Sequence, residues 1–251
     1  MMTDAKMTPM LRQYRQLKQR YPDALLFYRL GDFYELFEDD AKTAARELKL
    51  VLTSRRFSKQ VRLPMCGVPH RTVTSYVARL LERGHKVAIA EQLEDARRVK
   101  GLVKRDVVRI ITPGTVVEED LLPDKAQNYL AAIVTAARVP TVGHERADKY
   151  PPSNRKSEIE DPKSFGLAIV DLSTGEFAAT EGSGWPSLAE ELQRIQPSEI
   201  VLPQGLADDQ TWIQRLQTET GLGRSQPVRI SPVPDVQATP EAARARLKAH
   251  L

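Results

Sequence analysis

Between Pro22 and Glu38 the sequence permits little besides strand and turn. Ala24-Leu25-Leu26-Phe27-Tyr28-Arg29-Leu30 is an apolar run of strand length, and Gly31-Asp32 behind it is a turn signal. Phe33-Tyr34-Glu35-Leu36-Phe37 follows, either as a second short strand or as a continuation past a bend. Aromatic side chains favour the pleated surface of a sheet. At a period of two, Phe33, Glu35 and Phe37 point to one side, and Asp32, Tyr34 and Leu36 to the other. A helix would splay Phe33 and Glu35 apart. A strand sets a flat hydrophobe beside a hydrogen-bonding acid. Most Phe-x-Glu triplets are a core aromatic next to a solvated carboxylate, so the rest of the chain must say what the pair touches.

The surrounding elements alternate. Thr8-Pro9 starts a helix, with Pro in the first turn where its missing N–H costs nothing. Leu11, Tyr14, Leu17 and Tyr21 recur at helical spacing until Pro22-Asp23 ends it. Asp39 or Asp40 is a candidate cap for a helix whose buried face is Ala41, Ala44, Ala45 and Leu48. Residues 53–60 are polar and basic, as in an exposed loop or hairpin tip. Residues 63–70 carry Pro64 and Pro69 and are expected to be irregular. Thr72 is a candidate cap for a helix with Val73, Tyr76, Val77, Leu80 and Leu81 inward, closed by Gly84. Residues 86–90 and 106–111 read as strands, with a basic loop between them and a turn at 112–115.

These elements make a mixed-sheet α/β domain over residues 1–117, and the acidic stretch 118–127 is a linker. A second domain, residues 128–251, opens on the apolar run Asn128-Tyr129-Leu130-Ala131-Ala132-Ile133-Val134. A long polar loop, 138–164, precedes a hairpin of 165–172 with 175–180. Helices over 188–195, 210–220 and 241–251 then alternate with strands over 199–202 and 227–230, so this domain is α/β with helices on its sheet.

Charge separates the two. Residues 1–122 hold 23 Lys and Arg against 16 Asp and Glu, net +7, whereas the rest holds 14 against 17, net −3. The first domain is therefore the candidate for a polyanionic partner. Arg55, Arg56, Lys59, Arg97, Arg98, Lys100, Lys104 and Arg105 could meet phosphates from its loops, which sets affinity and not sequence preference. No apolar run reaches the length of a membrane span, and the N-terminus lacks the apolar core of a signal peptide. The single cysteine, Cys66, excludes an internal disulfide or a cysteine-built zinc cluster and reads as a packing residue. Cytoplasmic residence is the expectation.

Catalysis finds little support. No phosphate loop of the form G-x-x-x-x-G-K-[ST] occurs in the 251 residues. Gly221-Leu222-Gly223 follows a helix and reads as a turn. Two-metal hydrolysis needs several converging carboxylates, and only Asp171 and Glu176 lie near the 165–180 hairpin. No metal, cofactor or enzymatic activity is expected of this stretch of chain.

Five separated blocks carry a resemblance. Thr8-Pro9-Met10 with Gln13-Tyr14, the run Leu26 to Phe37, Pro64-Met65-Cys66-Gly67-Val68-Pro69-His70, Val87-Ala88-Ile89-Ala90-Glu91-Gln92 and Val107-Val108-Arg109-Ile110-Ile111-Thr112-Pro113-Gly114-Thr115 occur in the order found in the MutS family, bacterial DNA mismatch-recognition proteins. Asn128 to Ile133 and Phe165 to Phe177 resemble the family's connector domain, which implies an RNase H-like fold for the second domain. The resemblance implies that Phe33 enters the minor groove and stacks on a mispaired base while Glu35 hydrogen-bonds that base. A carboxylate among phosphates gains proton affinity, and a protonated Glu35 could donate to a base acceptor. By the same resemblance Arg55, His70 and Arg109 lie near the DNA backbone. The implied partners are mismatched double-stranded DNA, a MutL-type repair protein at the connector and, in the longer protein, a second copy. The family's clamp and its ATPase, which uses ATP and magnesium, are expected beyond residue 251. Two departures stand out: the 138–164 loop is longer than the family requires, and the segment after Arg55 differs.

Overall fold

The computed structural model describes residues 8–58, 61–94, 101–118, 121, 127–135, 162–222 and 228–250. The chain divides into two compact units, Met1–Ala126 and Gln127–Leu251. Lys59, Arg97, Arg98 and Lys100, and the 138–164 loop up to residue 161, lie outside the described residues.

The first unit runs α1 (Pro9–Arg20), β1 (Ala24–Leu30), β2 (Phe33–Phe37), α2 (Glu38–Leu48), β3 (Thr53–Arg56), β4 (Arg62–Pro69), α3 (Val73–Leu81), β5 (Lys86–Gln92) and β6 (Arg105–Ile111). Its six strands form one mixed sheet in the order β3-β4-β2-β1-β5-β6, in which only β1 and β5 pair in parallel. Both faces of this sheet are covered, which is why β1 is buried on both sides along most of its length. One face packs Leu25, Phe27, Tyr34 and Leu36 against Ala41, Ala44 and Leu48 of α2 and Val77, Leu80 and Leu81 of α3. The other packs Leu26, Tyr28 and Phe37 against Leu11, Tyr14 and Leu17 of α1. Tyr14 meets the edges of Tyr28 and Phe37 at centroid distances of 5.7 and 5.0 Å.

Three local expectations are corrected. Residues 63–70 are regular: β4 spans both prolines and changes partner midway. Its first half pairs with β3 and its second half with β2, and Met65 belongs to both ladders. Pro64 stands one residue before the β2 ladder begins and Pro69 is the last residue of the strand, so neither interrupts a continuous double-sided ladder. Neither Asp39 nor Asp40 caps α2, which begins at Glu38 behind Phe37. Asp40 turns inward instead. It accepts from Lys18 Nζ at 2.8 Å, the Leu26 N–H at 3.0 Å and the Tyr14 hydroxyl at 3.4 Å, and so ties α1, β1 and α2 together. Burial pushes its carboxyl above the usual range against those donors. Thr72 makes no cap either: its hydroxyl donates back to the Pro69 carbonyl, and a 3-10 turn at His70–Thr72 leads into α3. Cys66 is buried and donates to the Ala41 carbonyl at 3.5 Å, and burial pushes its thiol up to about 11.

The second unit runs β7 (Tyr129–Thr135), β8 (Phe165–Asp171), β9 (Glu176–Gly182), α4 (Trp185–Ile195), β10 (Glu199–Pro203), α5 (Gln204–Ala207), α6 (Gln210–Thr220), β11 (Arg229–Val233) and α7 (Pro240–His250). Its sheet order is β11-β10-β7-β8-β9. An antiparallel meander of β7, β8 and β9 is extended by parallel β10 and β11, the RNase H-like order. The core lies on one face, where Ala131, Ile133, Leu167 and Ile169 meet Leu188 and Leu192 of α4 and Trp212 and Leu216 of α6. Trp185 and Trp212 cross edge to face at 5.5 Å.

Candidate nucleic-acid interface

Four of the five site residues singled out in the sequence converge on one end of the first sheet. Gly31 makes the turn between β1 and β2 at φ +59°, a left-handed conformation that a side chain would strain. That turn is held from three sides. Arg29 Nε donates to the Gly31 carbonyl at 2.5 Å, and its guanidinium lies 5.4 Å above the Tyr34 ring and 3.7 Å from Glu91. The Tyr34 hydroxyl donates to the same Glu91 carboxylate. The His70 N–H donates to the Asp32 carbonyl at 2.8 Å.

On this base β2 alternates as its spacing requires. Tyr34 and Leu36 are buried on one face, and Phe33, Glu35 and Phe37 share the other. The burial along that second face is graded. Phe37 is fully buried beneath α1, Glu35 is half-buried, and Phe33 is 48 % exposed. The helix that covers one end of the face leaves the other end open, and Phe33 stands there. Its cross-strand neighbours are Leu30 and Pro69, while those of Glu35 are Tyr28 and Gly67. A Cβ at Gly67 would come within 3.2 Å of the Tyr34 carbonyl and 3.5 Å of Glu35 Cγ, so the surface beside Glu35 is kept low.

Glu35 is ion-paired with Arg55, which reaches it from β3 across the intervening strand β4. His70 is exposed at the end of β4, next to Pro69, with its ring 5.6 Å from that of Tyr34. Arg56, Arg62 and Arg71 are exposed on β3, on β4 and just beyond it. Arg109 is not part of this cluster. It lies on the edge strand β6, in register with Ile89 and so on the face of the sheet opposite Phe33 and Glu35, and it pairs with Glu118. Arg105 is also no surface cation: it is buried, donates to the carbonyls of Arg29 and Val103, and stacks 5.0 Å over the Tyr28 ring. Sequence reasoning missed Arg29, Gly67 and Glu91 as supports. All three stand inside the motif blocks of the sequence, where nothing local marks them as supports.

In the second unit Asp171 is occupied structurally. It accepts from the Asn128 N–H at 3.1 Å, the Ser173 N–H at 2.9 Å and the Ser173 hydroxyl at 2.6 Å, closing the β8–β9 turn. Glu176 accepts from the Tyr129 hydroxyl at 2.9 Å. Among the described residues no group of three or more His, Cys, Asp or Glu side chains is arranged to hold a metal ion. No described helix is long and apolar enough to cross a membrane.

Comparison with known proteins covers both units. Residues 8–120 match the family model of MutS domain I and residues 147–251 that of MutS domain II. Over 210 residues the chain is 51% identical to a DNA mismatch repair protein MutS of Symbiobacterium thermophilum, covering 82% of this chain and 21% of that protein. It is 40% identical over 248 residues to that of Methanosarcina barkeri, covering 97% and 25%. For Desulforapulum autotrophicum the figures are 42% over 253 residues, covering 98% and 25%. The chain thus spans between a fifth and a quarter of the length of these relatives.

Proposed function

The chain belongs to the MutS family, and from that premise we propose that its first unit recognises mispaired or unpaired bases in duplex DNA. The observation that carries this reading is the open end of the β2 face. A half-exposed phenylalanine and a carboxylate stand about 7 Å apart on one side of a strand whose other side is locked in the core. Phe33 is the wedge. A mismatched step is weakly stacked and easily kinked, so inserting an aromatic ring costs least there. Stacking is indifferent to base identity, which suits a detector of many mismatches. Glu35 supplies the polar contact to the unstacked base. Arg55, Arg56, Arg62, Arg71 and His70 seat the phosphate backbone around them, and Arg109 is left out of the constellation.

The second unit is the connector. In a longer protein it would meet a MutL-type partner, and dimerisation, ATP and magnesium would belong to other domains. No step assigned to this chain is routed through nucleotide, and the chain itself is proposed not to hydrolyse ATP.

Fluorescence anisotropy with matched and single-mismatch duplexes tests the reading. The unmodified chain should prefer the mismatch. Phe33→Ala should remove that preference and leave binding to matched DNA largely intact, since stacking on a base is worth about 1–3 kcal/mol. An undiminished preference in Phe33→Ala would refute the wedge.

A further inference from the structure

We propose that Arg55 is a latch on Glu35. In the free protein their ion pair holds the carboxylate against the sheet. On mismatched DNA a phosphate takes the guanidinium and an exposed base edge takes the carboxylate. Arg55 thereby sets how strongly a mismatch is preferred over paired DNA. This inference rests on the recognition reading above.

The geometry supplies the competition. Arg55 sits on the edge strand β3, and β4 separates it from β2. It can reach Glu35 only across the face of β4 that carries Leu63, Met65 and Gly67. Glycine at 67 is the one position of β4 directly opposite Glu35, and it presents no side chain there. The Glu35 side chain is 16% exposed and that of Arg55 37%, so the pair lies at the surface a ligand would reach, with the arginine outermost. Guanidinium forks bind carboxylates and phosphates by the same geometry, so an arriving phosphate is a direct rival for Glu35.

The two duplexes load this latch differently. Paired DNA offers a phosphate but no free base edge, so opening the latch would leave Glu35 charged among phosphates with nothing to bind. The latch stays closed, and Arg55 offsets the carboxylate's repulsion. A mismatch offers both new partners, so the exchange completes. Without Arg55 the carboxylate repels every duplex, and only a mismatch compensates for it.

Arg55→Ala should therefore weaken binding to both duplexes and weaken the matched one more, raising the mismatch preference by about 3- to 5-fold, the scale of a partly exposed ion pair. Arg55 lies on an edge strand with its side chain partly in solvent, and a circular dichroism melt verifies that the variant folds. In a Glu35→Gln background the same substitution should lower affinity for both duplexes by one common factor. All measurements belong at one fixed low salt concentration, because phosphate contacts are strongly salt-dependent. Equal losses for both duplexes with Glu35 present, or a reduced preference, would overturn the latch while leaving mismatch recognition standing. Absence of any mismatch preference in the unmodified chain would instead overturn the recognition reading, and the latch with it.

Discussion

Each of the two sheets presents a phenylalanine to solvent, and their surroundings are opposite. Phe33, 48% exposed, stands at the uncovered end of a face that is otherwise packed beneath α1, with Glu35 and Arg55 alongside. Phe177, 70% exposed, stands on the edge strand β9, in register with Val170 and Leu130. The face that carries it also holds Ala132, Val134, Ala168 and Ala179, with Glu181 at its far end and Glu199 and Arg229 further along the sheet, and no described helix packs its apolar side over Phe177. Exposure of an aromatic ring therefore does not by itself mark a site. What distinguishes Phe33 is a rigid base, a hydrogen-bonding neighbour and a fringe of cations. Phe177 has the apolar Val170 and Leu130 across the strands and no cation in its row on β8 and β7, and such a surround suits protein surfaces better than phosphates.

The largest effect should come from the residue that shares a face with Phe33 but lies under the helix. Phe37→Ala should cost about 3–5 kcal/mol, the usual loss for a buried phenylalanine, whereas Phe33→Ala should cost under about 1 kcal/mol. Urea unfolding followed by NMR signals of the first unit measures both. Tryptophan fluorescence cannot, because Trp185 and Trp212 both lie in the second unit. Equal losses would mean that Phe33 belongs to the core, and the contrast between the two exposed rings would collapse.

The two units also bury aspartates of opposite character. Asp40 has its pKa raised by burial, so the folded chain keeps that proton to higher pH than the unfolded one. Its stabilisation is complete below the unfolded value of 3.8 and is lost as pH rises through the folded value. Burial acts on Asp171 in the same direction, but it is outweighed by the Ser173 hydroxyl and the N–H groups of Asn128, Ser173 and Thr174, so its pKa is lowered. Its stabilisation is present above 3.8 and is lost as pH falls through the folded value. Asp40→Asn keeps one acceptor for Lys18 and the Leu26 N–H but has no titrating proton, so it should cost about 1 kcal/mol in acid, and the deficit should shrink as pH rises above 3.8. Asp171→Asn should cost about 1–2 kcal/mol at neutral pH, and its deficit should shrink as pH falls below 3.8. Urea titrations between acid and neutral pH, read by NMR for the first unit and by tryptophan fluorescence for the second, check the two signs. Deficits that moved the same way with pH would show that the hydrogen bonds do not outweigh burial at Asp171.

How much of this was legible in the sequence follows the range of the interactions. The face shared by Phe33 and Glu35 is a matter of strand period and could be read from the residues directly. The order of helices and strands came from periodicity in the same way. Strand β4 is hidden from local reading because proline is informative only once its place in a ladder is known, and that place depends on β2 and β3, which flank it. Asp39 and Asp40 both read as candidate caps because an acid at a helix start usually is one. The inward role of Asp40 depends on Lys18 and Leu26, which lie 22 and 14 residues away. The Arg55–Glu35 pair had the same obstacle: 20 residues of chain and an intervening strand separate the partners. The sequence neighbours of Arg105 suggest a surface cation, yet the carbonyl of Arg29 and the ring of Tyr28 draw it inward.

The smallest effect should fall on the other exposed ring. Every residue of β9 from Glu176 to Glu181 is exposed, so the Phe177 ring makes few contacts to lose. Phe177→Thr keeps a side chain suited to a strand and removes only the ring. Unfolding monitored by tryptophan fluorescence should therefore shift by no more than about 0.5 kcal/mol. Sedimentation velocity at rising concentration supplies the second reading, because an exposed aromatic ring on a strand that is an edge among the described residues favours contact between copies. Phe177→Thr should reduce any such association, and Phe33→Ala should leave it unchanged, since the ion pair of Glu35 and Arg55 lies beside Phe33. A loss above about 2 kcal/mol in Phe177→Thr would require a covering element over this face. The two phenylalanines would then differ in what hides them and no longer in what surrounds them.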